Sequence, residues 1–338
     1  MKITNSGELD HRAMTLMGAS DKRGDGEAIG FFGSGNKYAL ACLLRNNLTV
    51  KIFSGETEIT VEVRNTEFRS KTFGVIWING EATSITTETG PKWKVMDAVR
   101  EFWSNALDEG EAERNFIETV SGDSSLYGLP GITTIYIQSC PEINFMFSDW
   151  DKYFIDPEKL PVHKGKHGSL YLAEQTGKIS NYFRRGVWCA QERNEEPLFS
   201  YSFNEINLPE SRLVSSFVGM REIARVLGDC DNPKVVKALL SNVTGTLPAE
   251  WKSMEYVYNS MAEKFYKTLV EVMAESGFQY VGGIQDRERV SSEDRAKTLW
   301  CEYIPLRVIE RTSVPNVMNK AEYKKGYQVI GWPIGVYD

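Results

Sequence analysis

Apolar side chains recur along this chain at two different spacings, and the spacing changes with position. Residues 48–53 (LTVKIF), 58–63 (EITVEV) and 72–78 (TFGVIWI) alternate apolar with polar positions and are rich in β-branched and aromatic side chains. Turn signals at Ser54-Gly55 and Asn79-Gly80 punctuate them, which predicts an antiparallel meander. Residues 37–45 (KYALACLLR) have helical propensity. In residues 93–107 the apolar positions Val95, Val99, Phe102, Trp103 and Ala106 fall at helical spacing and give one core-facing side. Residues 131–138 (GITTIYIQ) read as a further strand. After a polar stretch at 156–166, strands are predicted at 169–172, 179–183, 186–189 and 198–203. The remainder is mostly helical, at 210–227, 233–241 and 248–276, with Asp231-Asn232-Pro233 supplying a helix-start signature before Lys234. The tail from Gly326 is short and aromatic, and no internal repeat or low-complexity tract is present. The pattern as a whole predicts an α+β protein with two regions: 1–155, mixed strands and helices, and 156–338, strands followed by helices.

Composition agrees with that division. At roughly 150 residues per domain, 338 residues make about two units. An apolar fraction of 41% with 25% charged residues belongs to a folded globular chain. A net charge of −7 argues against a broad basic surface for nucleic acid. No run approaches the ~18 consecutive apolar residues of a membrane span, and Met1-Lys2-Ile3-Thr4-Asn5 carries no signal-peptide core. The expectation is a cytoplasmic protein without membrane association. Cys42, Cys140, Cys189, Cys230 and Cys301 are odd in number, scattered and without a C-x-x-C pair, so they read as buried hydrophobes in a reducing compartment.

Two segments carry candidate chemistry. Ile29-Gly30-Phe31-Phe32-Gly33-Ser34-Gly35-Asn36-Lys37 opens straight into a predicted helix. Glycines let the backbone turn sharply and bring successive N–H groups toward an anion; the helix N-terminus adds its dipole and Lys37 a full charge. The spacing is not that of a Walker loop, and no strand of a βαβ unit precedes it. Taken alone, the run fits a tight structural turn as well as a nucleotide site. The second segment puts Glu101, Asn105 and Asp108 at i, i+4 and i+7, one polar stripe on an otherwise apolar helix. Such a stripe fits a solvated face. Yet Asn is a weak helix former whose amide oxygen is a good neutral ligand for a hard cation, and Glu101 one turn earlier is placed to orient or deprotonate a water.

Together the two segments resemble the motifs of the GHKL ATPase superfamily, which includes gyrase and the histidine kinases. Glu101-x-x-x-Asn105-Ala106-x-Asp108 resembles its N-box, and Gly30-x-x-Gly33-x-Gly35-x-Lys37 its second glycine box. Met17-Gly18-Ala19-Ser20-Asp21-Lys22 is similar to the segment leading into the family's ATP lid. Asn5-Ser6-Gly7 is similar to a degenerate first glycine box, with Asn5 where the family has an adenine-reading Asp; that departure leaves adenine against guanine open. The glycine boxes here precede the N-box, the reverse of the family order, so the chain resembles a circularly permuted GHKL-like group from phage and bacterial genomes.

The resemblance implies a GHKL-like (Bergerat-fold) α/β sandwich, with helices on one face of a mixed, mostly antiparallel sheet, covering 1–155 and open to completion by later strands. It implies ATP and Mg²⁺ as cofactors. Asn5, Gly7, Gly30, Gly33, Ser34, Gly35, Lys37, Asn105 and Asp108 would line the nucleotide site, with Asn105 on Mg²⁺, Asp108 in support and Glu101 catalytic. Residues 20–28 would form a short lid, or be a solvated loop. Region 156–338 would take a partner or transducer role, and a homodimer is compatible. The implied activity is slow Mg²⁺-dependent ATP hydrolysis coupled to conformational or dimer switching. The alternative is a non-hydrolysing, nucleotide-dependent interaction protein, for example a phage factor acting on a host protein.

The remaining features carry less. His11, His163 and His167 are too few and too separated for a metal site. Arg184, Arg185 and Arg212 read as surface ion-pairing residues, and Trp251, Tyr256, Tyr258, Phe265 and Tyr266 as helix packing.

Overall fold

A computed structural model describes residues 1–16, 28–29, 33–117, 120, 122, 125–156, 158–173, 179–193, 197–206, 208, 214, 216–241, 249–254, 263–278, 280–282, 288 and 290–300. The chain divides into one unit of Met1–Pro157 with Arg185–Trp188, and a second of Glu158–Arg184 with Cys189–Asp338.

The first unit contains β1 (Lys2–Ser6), α1 (Arg12–Thr15), α2 (Gly35–Arg45), β2 (Val50–Ser54), β3 (Thr57–Ile59), β4 (Val61–Phe68), β5 (Lys71–Ile78), β6 (Glu81–Thr86), α3 (Val95–Glu109), β7 (Glu113–Asn115), β8 (Ile132–Ile137) and α4 (Pro141–Ser148). Five strands form one sheet in the order β3-β2-β8-β1-β7, every neighbouring pair antiparallel. Side chains alternate across a strand. One face therefore carries Met1, Ile3, Val50, Ile52, Ile135 and Ile137, which pack with Ala39, Leu40, Leu43, Val99 and Phe102 of α2 and α3. The opposite face carries Phe53 and Tyr136, in edge-to-face contact 5.9 Å apart and joined by Val120. Both long helices thus lie on one face of the sheet.

The expected meander is not a single sheet. Residues 58–63 break at Thr60 into β3, which stays with the five-stranded sheet, and β4, which starts a separate antiparallel sheet β4-β5-β6. The break is held by Asn79, whose Oδ1 accepts the Thr60 amide at 3.0 Å while its own amide donates to the Thr60 carbonyl at 3.0 Å. A mixed sheet was expected here; parallel pairing instead occurs in the second unit.

That unit contains β9 (His163–Lys164), β10 (Gly168–Leu172), β11 (Ile179–Arg184), β12 (Val187–Arg193, whose first two residues cluster with the first unit), β13 (Phe199–Phe203), α5 (Ser216–Gly228), α6 (Pro233–Ser241), α7 (Glu250–Met254), α8 (Glu263–Glu275), β14 (Tyr280–Gly282), α9 (Ser292–Ala296) and β15 (Thr298–Trp300). Its main sheet, in the order β12-β11-β13-β10-β9, joins β11 and β13 in parallel and β10 and β13 antiparallel. Tyr182, Tyr201 and Phe203 pack with Val226, Leu239, Trp251, Phe265 and Leu269 from the helices. Asn232 starts α6 as the sequence predicts, its Oδ1 accepting the Lys234 amide at 2.9 Å. Trp251, Phe265 and Tyr266 are core residues; Tyr256 and Tyr258 lie outside the described residues. Arg184 is buried rather than at the surface as expected, because it ends a strand whose burial pattern is continuous. Arg212 and Cys301 lie outside the described residues. Cys42, Cys189 and Cys230 are buried and Cys140 is half-buried, none of these four in a disulfide. No helix among the described residues is long and apolar enough to cross a membrane.

Candidate functional site

Gly33 has φ +71°, a left-handed turn that a side chain would strain. The turn hands the chain to Ser34, whose carbonyl accepts the amides of Lys37 and Tyr38 at 3.1 Å each and so begins α2. The first residue of that helix, Gly35, is needed for a different reason. A methyl group there would overlap the carboxyl of Glu101, so the first turn of α2 lies directly against α3 only because Gly35 has no side chain.

The polar stripe of α3 faces this junction rather than solvent. Glu101 is only 6% exposed. One turn on, Asn105 donates through Nδ2 to Asn36 Oδ1 at 2.6 Å and to Glu101 Oε1 at 3.4 Å. Both contacts use the amide nitrogen, which leaves the Asn105 carbonyl oxygen committed to neither. At the last turn Asp108 Oδ1 accepts the Ile29 amide at 2.7 Å and ties down the chain just before the glycine run. Three successive turns of α3 therefore hold Gly35, Asn36 and Ile29.

Lys37 is 2% exposed, and its Nζ donates to the Gly33 carbonyl at 2.6 Å. Burial holds its ammonium below the ordinary lysine range, opposed by the negative charge of Glu101 nearby. The junction thus concentrates one cation, one anion and two carboxamides at a helix N-terminus, where backbone N–H groups and the helix dipole favour an anion.

The far end of α3 is anchored separately. Ser6 Oγ donates to the carbonyls of Glu109 and Gly110 at 3.1 Å each, and the Ser6 amide also bonds the Gly110 carbonyl. Asn5 is buried on the helix-facing side of β1, opposite Thr133 of β8, with its Nδ2 donating to the Ser6 carbonyl at 2.7 Å. Gly7, at φ +86°, donates its amide to the Gly131 carbonyl at 2.8 Å and accepts the Thr133 hydroxyl at 2.8 Å.

Of the residues nominated from sequence, Gly33, Ser34, Gly35, Lys37, Glu101 and Asn105 meet at one junction, and Asp108 lies one turn beyond. Asn5 and Gly7 are linked to the end of α3 through Ser6; their own hydrogen bonds run within the sheet end, not to α2. Gly30 and residues 20–27 of the expected lid lie outside the described residues, as does the stretch 17–22. Asn36 was not singled out from sequence. Its only signal was its place between Gly35 and Lys37, since its partner is 69 residues away. Among the described residues no group of three or more His, Cys, Asp and Glu side chains is placed to hold a metal ion. No family model matches this chain, and neither a curated protein nor a solved structure does.

Proposed function

We propose that the first unit is a permuted GHKL-like nucleotide site that binds ATP with Mg²⁺ and hydrolyses it slowly. The observation that carries this reading is the contact of Gly35 with Glu101. It sets an acid and a carboxamide from one helix against the N-terminal turn of another, at a place where a Cβ would fill the space. Gly33, Ser34 and Gly35 offer backbone donors to the phosphates, and Lys37 exchanges the Gly33 carbonyl for a phosphate oxygen. The Asn105 carbonyl oxygen is a hard, neutral ligand. Mg²⁺ usually takes only one or two protein ligands, together with phosphates and waters, so an all-protein cage is not required. Glu101 orients and deprotonates the attacking water, while Asp108 keeps the loop entrance in place through Ile29. Phosphoryl transfer to water depends mainly on placement and charge stabilisation, which this sparse set can supply.

The near-complete burial of Glu101 favours a second reading, in which nucleotide is bound without turnover and only sets a conformation recognised by a protein partner. Calorimetric titration with ATP, ADP and a non-hydrolysable analogue, followed by a phosphate-release assay, separates the two. Binding with release supports the ATPase, binding without release supports the second reading, and no binding rejects both.

A further inference from the structure

The small sheet β4-β5-β6 ends on β4. Seven of the eight β4 residues are exposed, all but Val61, and two are large and apolar: Val63 at 42% and Phe68 at 62%. Natural edge strands are usually blunted by proline, lysine or a bulge. Val61–Phe68 (VEVRNTEF) contains neither residue, and the irregularity in this sheet lies in the β5–β6 ladder between Val75 and Trp77. Two of the three charged residues of β4 are engaged along one face of the sheet. Arg64 lies over the Trp77 ring at 4.1 Å and donates to Glu62 Oε2 from Nε at 2.9 Å and from Nη2 at 2.7 Å, along the same face.

An edge of this kind accepts another strand, and its sequence says which. Antiparallel pairing of a strand with its own copy about a two-fold axis preserves the sheet faces, so one residue must stand opposite itself. Centring on Glu62, Arg64 or Glu67 sets like charges face to face. Centring on Asn65 places Val63 against Glu67, and centring on Thr66 places it against Arg69. Centring on Phe68 runs the partner strand into the Arg69–Ser70 turn, where both residues have positive φ, and centring on Val61 places Val63 against Ile59 of β3, which belongs to the other sheet. Centring on Val63 alone sets the exposed valine against its counterpart and places Glu62 opposite Arg64 of the second copy twice over, with Val61 opposite Asn65. We propose that β4 pairs antiparallel with β4 of a second copy in this register, so that three strands from each chain form one continuous sheet. The interface is small, so the dimer forms in a concentration-dependent way. The inference is independent of nucleotide binding.

Four full-length variants test it by light scattering and sedimentation over a concentration series. Glu62→Arg and Arg64→Glu each place like charges opposite one another, and each alone should weaken dimerisation at least tenfold. An equimolar mixture of the two restores both opposite-charge pairs and should dimerise like the parent. The double variant Glu62→Arg/Arg64→Glu should do the same. Val63→Cys should form an intermolecular disulfide joining the two copies of position 63 on mild oxidation, since residues opposite one another in an antiparallel pair have Cα atoms within disulfide range. Circular dichroism confirms that each variant is folded. A parent that stays monomeric throughout the series overturns the proposal, as do single charge variants that dimerise undiminished. A monomer whose β4 amides resist hydrogen exchange overturns it too, by assigning the edge to another segment of the same chain.

Discussion

Glu101 of the first unit and Glu250 of the second are both buried, and the fold treats them differently. Glu250, at the start of α7, accepts the adjacent backbone amides of Leu198 and Phe199 through Oε1 at 2.9 and 3.0 Å. Burial pushes its carboxyl up from the ordinary range, and burial together with Glu250 pushes the neighbouring Tyr201 hydroxyl well up. Its partners are backbone amides at the entry to β13, so its work is to fasten a helix to a sheet. Glu101 rests on the bare Cα of Gly35, with the Asn105 amide and the Lys37 charge beside it. Asn105 and Lys37 are side chains of two helices and can exchange for a ligand without unpairing a strand. Burial alone does not separate a structural acid from a candidate catalytic one. The nature of the partners does.

Substitutions can break this contrast from either side. The largest effect is expected from Glu101→Gln, which keeps the shape against Gly35 but removes the base. Phosphate release should fall by about 10²-fold or more, with ATP affinity nearly unchanged by calorimetry; parental turnover would remove Glu101 from the mechanism. Gly35→Ala forces a methyl into the Glu101 carboxyl and should lower unfolding stability by about 1–3 kcal/mol, along with nucleotide affinity. In a Glu101→Ala background the same change should be nearly neutral to chemical denaturation, because the two residues are coupled. Glu250→Ala leaves the buried Phe199 amide and the half-buried Leu198 amide without their acceptor and should destabilise by about 1–3 kcal/mol, without changing hydrolysis per folded molecule.

The smallest effect sharpens the other half of the contrast. A raised folded-state pKa means that Glu250 contributes its full stability below the unfolded carboxyl range and loses it as pH rises through the folded value. Glu250→Gln does not titrate, so its stability relative to the parent should grow between pH 4 and pH 8 (thermal melts across that range). A gap that does not change with pH would mean that the carboxyl stays ionised in the fold.

Much of this architecture was legible because local patterns agreed with tertiary demands. The apolar spacing of Val95, Val99, Phe102, Trp103 and Ala106 predicted a helix close to the observed α3, and 132–137 fell inside the expected strand. Other parts depended on pairing that no local pattern encodes. β7 is exposed along its whole length and β6 has only Ile85 buried, so neither shows an alternating apolar face. The division at Thr60 arises from Asn79, 19 residues away. At the candidate site, helical spacing set Glu101, Asn105 and Asp108 on one stripe but could not say whether it met water or another helix. That was decided by Gly35, whose missing side chain admits α3, and it brought in Asn36, which has no pattern of its own.

On the proposed function, the Gly35–Glu101–Asn105 junction receives a magnesium-bound nucleoside triphosphate. Calorimetric titration of the full-length protein with each of the four NTPs, with and without Mg²⁺, tests it most directly. Saturable binding that strengthens with Mg²⁺ is expected in the parent, and Asn105→Ala should lose that Mg²⁺ dependence. No saturable binding of any of the four, or binding that Asn105→Ala leaves unchanged, would contradict it.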